Sequence, residues 1–392
     1  MNFCAVICEF NPFHNGHNYL IQTAKKTTGS EIVCLMSGNF VQRGIPAITT
    51  KQARAKIAIQ SGAAAVLELP TVFACSNAEN FANGAIKIIK ALGIKQIAFG
   101  IEKTNLETLK QIAKLKQENS ERFQTAFKNE IQNGINYNTA LKRSIAATIG
   151  DESIIETLNK PNNVLAVEYL TAILKQSANI EVVAIERCDD GYESNNPKDN
   201  FLSATAIREL VSNHQDYSKF VPSFARIDEI FTKEHQKTFE TLAVLKLRNS
   251  SPKELENCYD YTEGIEYRIK EMSDKFSTLD EIKQAVATPR YRLPRVNKLL
   301  LYPLLNITKN IVKIANNTKP AVKVLAIKKD KTEILKSYNK NKISLITTNK
   351  EYENLSTKQK QIINIDLQAA NIYNSILGHQ NNEDKKIGTM FL

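Results

Sequence analysis

The chain has 392 residues, with 52 Lys and Arg against 41 Asp and Glu, and a formal net charge of +11. At about 100–200 residues per domain this length gives two or three domains, and 42% hydrophobic with 24% charged residues excludes wholesale disorder. No apolar run reaches the roughly 18–20 residues that span a bilayer, and the opening Met1-Asn2-Phe3-Cys4-Ala5 has no basic segment of the signal-peptide kind. A membrane partner is therefore not expected.

The first 215 residues alternate short apolar runs with segments of helical period. Strands are expected over 3–9, 32–36, 64–69, 96–99 and 180–186. Helices are expected over 16–26, 51–61, 77–92, much of 105–147, 163–176 and 203–212. Nearly continuous apolar strands alternating with helices predict a parallel sheet covered on both faces. Ligands of such sheets bind beyond the carboxyl ends of the strands. From about residue 218 helical segments dominate, which predicts one domain over 1–217 and a mainly helical one over 218–392. Two late apolar runs, Ala321–Ile327 and 343–347, are expected to add strands to the second.

Six cysteines are scattered at 4, 8, 34, 75, 188 and 258, with no Cys-x-x-Cys pair. Buried reduced thiols and a cytoplasmic setting are the expectation. Of the 52 cations, 40 are Lys and 12 are Arg. Residues 301–350 carry 11 Lys and Arg against 2 Asp and Glu, and Arg290-Tyr291-Arg292-Leu293-Pro294-Arg295 gathers a quarter of the arginines. Residues 151–200 carry 4 basic and 10 acidic side chains. Positive charge concentrated late in the chain suits contact with a polyanion.

Directly after the first strand stands Asn11-Pro12-Phe13-His14-Asn15-Gly16-His17, leading into a helix. Two imidazoles three residues apart at a helix start converge on one ligand beside unpaired backbone N–H groups, at the positive end of the helix, where phosphate is favoured. Gly16 leaves room for a close approach. A metal pair would need a third ligand, and none stands nearby in sequence. Far downstream, Ser203-Ala204-Thr205-Ala206-Ile207-Arg208 offers cap hydroxyls and a guanidinium on one helix start, a second polyphosphate clamp.

His14-Asn15-Gly16-His17 with the Ser-x-Thr-x-x-Arg string resembles the nucleotidylyltransferase superfamily. The longer string Glu9-Phe10-Asn11-Pro12-Phe13-His14-Asn15-Gly16-His17 resembles the bacterial tRNA(Met) cytidine acetate ligases. So do 36–47, Glu68-Leu69-Pro70, Pro161-Asn162-Asn163, Glu168-Tyr169 and 203–208. The resemblance implies a Rossmann-like nucleotidylyltransferase sheet and a basic, mainly helical tRNA-binding domain. It implies that acetate attacks the α-phosphate of ATP, and that acetyl-adenylate then acetylates N4 of the wobble cytidine of elongator tRNA(Met). Positions matching Ile7, Asn11, Phe13, His14, Gly16, His17, Leu20, Gly100, Asn162 and Arg187, with Ser203 and Thr205, would contact ATP. His14, His17, Arg208 and Mg²⁺ would neutralise charge as one anion attacks another.

Asn39, Gln42 and Arg43 follow the second strand and would line the acetate or cytidine pocket. Arg290, Tyr291, Arg292, Arg295 and Lys298 would meet tRNA by phosphate contact and stacking. The sequence departs from the family at Ile101, where Ser is common, at Thr50, where Asp is frequent, and at Ala287 and Pro289, where lysines are usual. Glu168 and Tyr169 on a helix suit a structural role at least as well as a catalytic one. Two alternatives stay open: a nucleotidylyltransferase acting on a small phosphorylated metabolite, and a non-catalytic RNA-binding protein with an ATP fold.

Overall fold

The computed structural model describes residues 2–187, 200–227, 229–386 and 388–392. Its strands are β1 (Phe3–Cys8), β2 (Glu31–Ser37), β3 (Phe40–Val41), β4 (Ile45–Pro46), β5 (Ala63–Leu69), β6 (Gln96–Ile101), β7 (Glu181–Glu186), β8 (Ala321–Ile327), β9 (Ser344–Ile346) and β10 (Met390–Phe391). The main sheet runs β10-β8-β5-β2-β1-β6-β7, with β9 also paired to β8. β5, β2, β1, β6 and β7 are parallel, as continuous apolar strands separated by helices require. Alternate residues feed the two faces. Ala5, Val33, Leu35 and Leu67 join one core cluster, and Cys4, Val6, Cys34 and Met36 the other.

The chain builds from β1 outward through β2 to β5, then crosses back to place β6 on the other side of β1. The strand order therefore reverses between β1 and β6, where an open α/β sheet has its ligand crevice. Gly100 lies inside β6 rather than after it.

The late strands correct one expectation. They do not make a sheet of their own: β8 pairs antiparallel with β5 and β10 extends the sheet from β8. The side chains of Phe239, Leu247, Leu299 and Tyr373 belong to the same core cluster as the β1–β5 face. Neither the sheet nor the core is interrupted at 217/218, because an apolar edge strand at β5 is buried only when a later segment covers it.

An ion network marks that junction. Lys51 is fully buried, with Nζ 2.7 Å from both oxygens of Glu68 and 2.9 Å from Asp384 Oδ2. Lys323 adds a 3.1 Å contact to Asp384. Beside it opens a cavity of about 330 Å³ lined by Glu68, Lys323, Asp366 and Asp384 among others. Asp366 Oδ1 accepts the Thr71 N–H at 2.6 Å, and burial, aided by the Glu68 charge, pushes its carboxyl up to about 7. With its folded pKa above the ordinary 3.8, Asp366 holds a proton that the unfolded chain has released. Its contribution to stability is full below about pH 4 and is lost as pH rises through about 7. In Asp366→Asn, which keeps the acceptor for Thr71, urea unfolding across that window will show a smaller loss of stability with rising pH; an unchanged slope counts against it.

Candidate active site

β1 ends at Cys8, and Glu9, Phe10, Asn11, Pro12 and Phe13 turn the chain into the helix Asn15–Thr28, capped by His14. Phe10 holds φ +52°, an uncommon conformation for a bulky residue that functional turns concentrate. The Nδ1 of His14 accepts the Gly16 N–H at 3.1 Å, and the Nδ1 of His17 accepts the His14 N–H at 3.3 Å. Both rings are therefore neutral, with their hydrogen on Nε2. They stack at 3.7 Å between centroids, with Phe10 and Phe13 against His17. Burial, then the charges of Arg187 and Arg208, lower the His14 pKa to about 3. His14 thus acts as a neutral donor, and the positive charge at this site belongs to arginines.

Gly16 has a reason other than close approach by a nucleotide. A Cβ there would stand 2.9 Å from His14 Cε1 and 3.1 Å from Nδ1, so the glycine makes room for the His14 ring.

Arg208 reaches across from the helix Ala204–Ser212. Its Nη1 donates to Asn11 O at 2.6 Å and its Nη2 to Thr205 Oγ1 at 3.1 Å. Arg43 Nη1 donates to the same hydroxyl at 3.4 Å. Burial and Arg43 lower the Arg208 pKa to about 10. Ser203 caps that helix by accepting the Ala206 N–H at 3.2 Å. Asn15 donates to Asn200 O and Lys219 O, tying the first helix to this region.

On the β6 side, Arg187 follows β7 and lies across Gly100, where a Cβ would meet its Cγ at 3.2 Å. Its Nη1 is 3.5 Å from Asn162 Oδ1, and the Asn162 N–H donates to Glu102 Oε1 at 3.1 Å. Asn163 closes the corner by accepting the Glu102 N–H and donating to Glu102 O. His14, His17, Gly16, Asn11, Phe13, Gly100, Asn162, Arg187, Ser203, Thr205 and Arg208 thus gather around the β1/β6 switch point. Ile7 and Leu20 are half-buried and pack on the cores of opposite faces.

The β2 side is a loop held on both flanks. The Gln42 N–H donates to Glu9 Oε1 at 2.8 Å, Arg43 reaches Thr205, and Gly44 packs on the backbone of Asn297 and Lys298. Asn39 is buried rather than lining an open pocket, and its Oδ1, like Ser37 Oγ and Thr49 Oγ1, lacks a partner among the described residues. Gly38 passes directly over Glu68, whose Oε1 would touch a Cβ at 2.3 Å. Thr50, the departure from Asp, caps the helix Lys51–Gln60 by accepting the Ala53 N–H.

Two residues were not singled out from the sequence. Arg54 is fully buried and donates to the carbonyls of Glu9 (2.7 Å), Ser37 (3.0 Å), Thr49 (3.2 Å) and Gly38. A rare arginine with no acid within four positions was the available signal. Glu9 was quoted only as part of a motif, although its carboxyl is felt by Arg43, Arg208 and Arg54.

The basic cluster divides. Arg290 is exposed and paired to Glu263, and Arg292 is exposed with Nη2 2.9 Å from Asn136 Oδ1. Tyr291 is buried, donates to Thr262 O at 2.9 Å, and carries Arg295 4.7 Å over its ring, while Arg295 is forked onto Asp260. Lys298 turns inward, 3.5 Å from Ser76 O, and burial lowers its pKa. Tyr291 and Lys298 are therefore corrected as surface contacts: local arginine density does not reveal the acids near 260 that draw this helix start inward. Glu168 is ion-paired to Lys116 at 2.5 Å, and Tyr169 packs on Phe99, a structural role for both.

Five cysteines are buried and free; Cys188 lies outside the described residues. Burial pushes the Cys4 thiol up to about 12 and that of Cys258 to about 11, so neither is a nucleophile at neutral pH. Among the described residues no group of three or more His, Cys, Asp or Glu could hold a metal ion, and no helix is long and apolar enough to cross a membrane.

A helix-capping histidine pair facing arginines at the switch point of a parallel sheet defines a nucleotidyl transferase, and the HIGH Nucleotidyl Transferase family model matches residues 1–387. Within that class the chain belongs to the tRNA(Met) cytidine acetate ligase family. It is 36% identical over 325 residues to the tRNA(Met) cytidine acetate ligase of Thermoanaerobacter sp. (strain X514), covering 80% of each chain, and 33% identical to that of Thermosipho africanus, covering 81% of this chain and 77% of the relative. The crystal structure of Thermotoga maritima TmcAL superposes with a TM-score of 0.92 in its apo form and 0.89 with alpha-thio ATP bound, each at 26% identity and covering all of both chains.

Gly16→Ala will push the His14 ring from its seat and weaken ATP binding by about tenfold or more, the equivalent of ~1.4 kcal/mol. Titration calorimetry reads it, and unchanged affinity would show that the His14 position does not matter to ATP.

Proposed function

We propose that this site activates acetate with ATP and passes the acetyl group to the wobble cytidine of elongator tRNA(Met). The acetate oxygen attacks the α-phosphorus, the bond to the β-phosphate oxygen breaks, and pyrophosphate leaves. The exocyclic N4 of cytidine then attacks the acetyl carbonyl, the bond to the phosphate oxygen breaks, and AMP leaves as N4-acetylcytidine forms. Activation is necessary because a carboxylate does not acylate a weakly nucleophilic aromatic amine unaided.

The observation that carries this reading is the convergence of two Nε2–H imidazoles with Arg208 and Arg187 at the β1/β6 crevice. The imidazoles donate to phosphate oxygens without a proton having to come or go. The arginines neutralise the charge that builds when one anion attacks another, in a site whose dipoles are already oriented. Ile7, Phe13, Leu20, Gly100 and Asn162 would line the nucleotide site, with Ser203 and Thr205 at the phosphates. The loop carrying Asn39, Gln42 and Arg43 flanks the place for acetate and cytidine. Mg²⁺ would travel on the triphosphate oxygens with its waters, since the described residues offer no group of three or more His, Cys, Asp or Glu to hold it. Arg290 and Arg292, exposed beyond this loop, suit phosphate contact with tRNA.

The deciding experiment combines the protein with labelled acetate, ATP and total bacterial tRNA, and analyses nucleosides by mass spectrometry. Acetylcytidine that requires both acetate and ATP, and falls by about 10²-fold or more in His17→Ala, is the expected result. Acetyl-adenylate without acetylcytidine would point to another acceptor, and no turnover of ATP would overturn the reading.

Arg290→Ala will reduce the slope of log affinity for tRNA against log salt by roughly one counterion's worth, ~0.7–0.9, without changing ATP affinity. A filter-binding salt series with an unaltered slope would remove Arg290 from the interface.

A further inference from the structure

We propose that Glu9 is the general base of the acetyl-transfer step, the carboxylate that takes the proton N4 must shed as it becomes an amide. This rests on the ligase reading above. In the step, the N4 lone pair forms the bond to the acetyl carbon, the carbon–oxygen bond to the phosphate breaks with its electron pair leaving on AMP, and one N4 proton passes to a Glu9 carboxylate oxygen.

The groups around the crevice leave few acceptors. His14 and His17 have Nδ1 already occupied and carry hydrogen on Nε2. Arg43, Arg187 and Arg208 only donate. Among the described residues, Asp260 is forked onto Arg295 and Glu102 takes the backbone and side-chain N–H groups of Asn162. Glu9 remains, one residue past β1 and five before His14, at the same strand end. It is fixed at two points: its backbone oxygen takes Arg54 Nη1 at 2.7 Å, and its Oε1 takes the Gln42 N–H at 2.8 Å. Its Oε2 receives no hydrogen bond, and no salt bridge ties Glu9 to an arginine, among the described residues. The carboxylate is thus held by one oxygen and receives no hydrogen bond at the other, beside the loop that carries Gln42 and Arg43.

Its electrostatic setting suits the task. Burial raises the Glu9 carboxyl above its ordinary value, against the Gln42 N–H and the charges of Arg43, Arg208 and Arg54. Its charge is felt by Lys298, Cys8, Cys75 and Tyr169. A carboxyl whose pKa is raised by burial is a stronger base than a solvated one.

The test is Glu9→Gln in the full chain, whose amide oxygen still accepts the Gln42 N–H. Two rates are measured: acetate-dependent exchange of pyrophosphate into ATP, and single-turnover acetyl transfer from the enzyme-formed adenylate to tRNA. The expected result is exchange within about twofold of the wild type and transfer slowed by about 10²–10⁴-fold, with Glu9→Asp in between. The rise of the wild-type transfer rate with pH should vanish in Glu9→Gln. Transfer at the wild-type rate overturns the proposal and assigns the proton to the leaving phosphate. Loss of exchange together with transfer also overturns it, because Glu9 would then serve ATP. Should the variant fail to fold, a wild-type transfer rate that does not change with pH does the same. A wild-type chain without acetate-dependent exchange sinks the ligase reading itself, an outcome distinct from normal exchange with transfer indifferent to Glu9.

Discussion

The site depends on one buried guanidinium. Strand ends are where carbonyls leave the sheet ladder, and three segments end together here: Glu9 after β1, Ser37 and Gly38 after β2, and Thr49 before the next helix. Buried carbonyls without partners are costly. Arg54 answers all of them at once, donating to Glu9, Ser37, Thr49 and Gly38 from a fully buried position. Burying a guanidinium is itself expensive, which is why its pKa is drawn down, but hydrogen bonds from a charged donor contribute about 1.5–3 kcal/mol each and offset it. Arg54 spends these donors on backbone, and the Glu9 carboxylate takes the Gln42 N–H instead.

That bracing allows a division of labour among the cations. His14 and His17 look like charged phosphate binders in sequence, yet burial and the nearby arginines keep His14 neutral to about pH 3. The imidazoles supply direction and the arginines supply charge. Arg43 and Arg208 share Thr205 Oγ1, so two guanidiniums are held side by side despite their repulsion. An arrangement that keeps like charges together around a crevice is one that an anion relieves, and a triphosphate is the anion the strand order and helix terminus favour.

Much of this was legible in the residues, for identifiable reasons. β1, its turn and the capped helix announce themselves because apolar run, Pro, His and Gly fall within fifteen positions. The Ser203–Arg208 string is legible for the same local reason. What was not legible depends on distant partners. Gly16 was read as clearance for a nucleotide, whereas the nearest atoms are those of His14 two residues away. Arg54 has no local cue to the four carbonyls it binds. The β8 run was recognisable as a strand, but its antiparallel place beside β5 is a pairing across more than 250 residues. Tyr291 and Lys298 were expected to meet tRNA, but their partners, Thr262 O and Ser76 O, stand some thirty and more than two hundred residues earlier.

Those inward turns bear on how the later half of the chain serves the earlier. Gly44, at φ +75°, lets the loop bearing Gln42 and Arg43 lie on the backbone of Asn297 and Lys298, where a Cβ would come within 3.0–3.1 Å. Lys51, which begins the helix containing Arg54, is neutralised by Asp384 from the last strand's approach as well as by Glu68 beneath Gly38. Tyr373 adds a hydrogen bond to Ala47 O at 2.8 Å on the same loop. The loop between β2 and the helix Lys51–Gln60 is thus set from one side by the nucleotide crevice and from the other by residues 297–384. The helix that seats Gly44, Leu293–Leu305, begins directly after Arg292, so the loop bearing Gln42 and Arg43 and the exposed arginines at 290 and 292 are attached to one element.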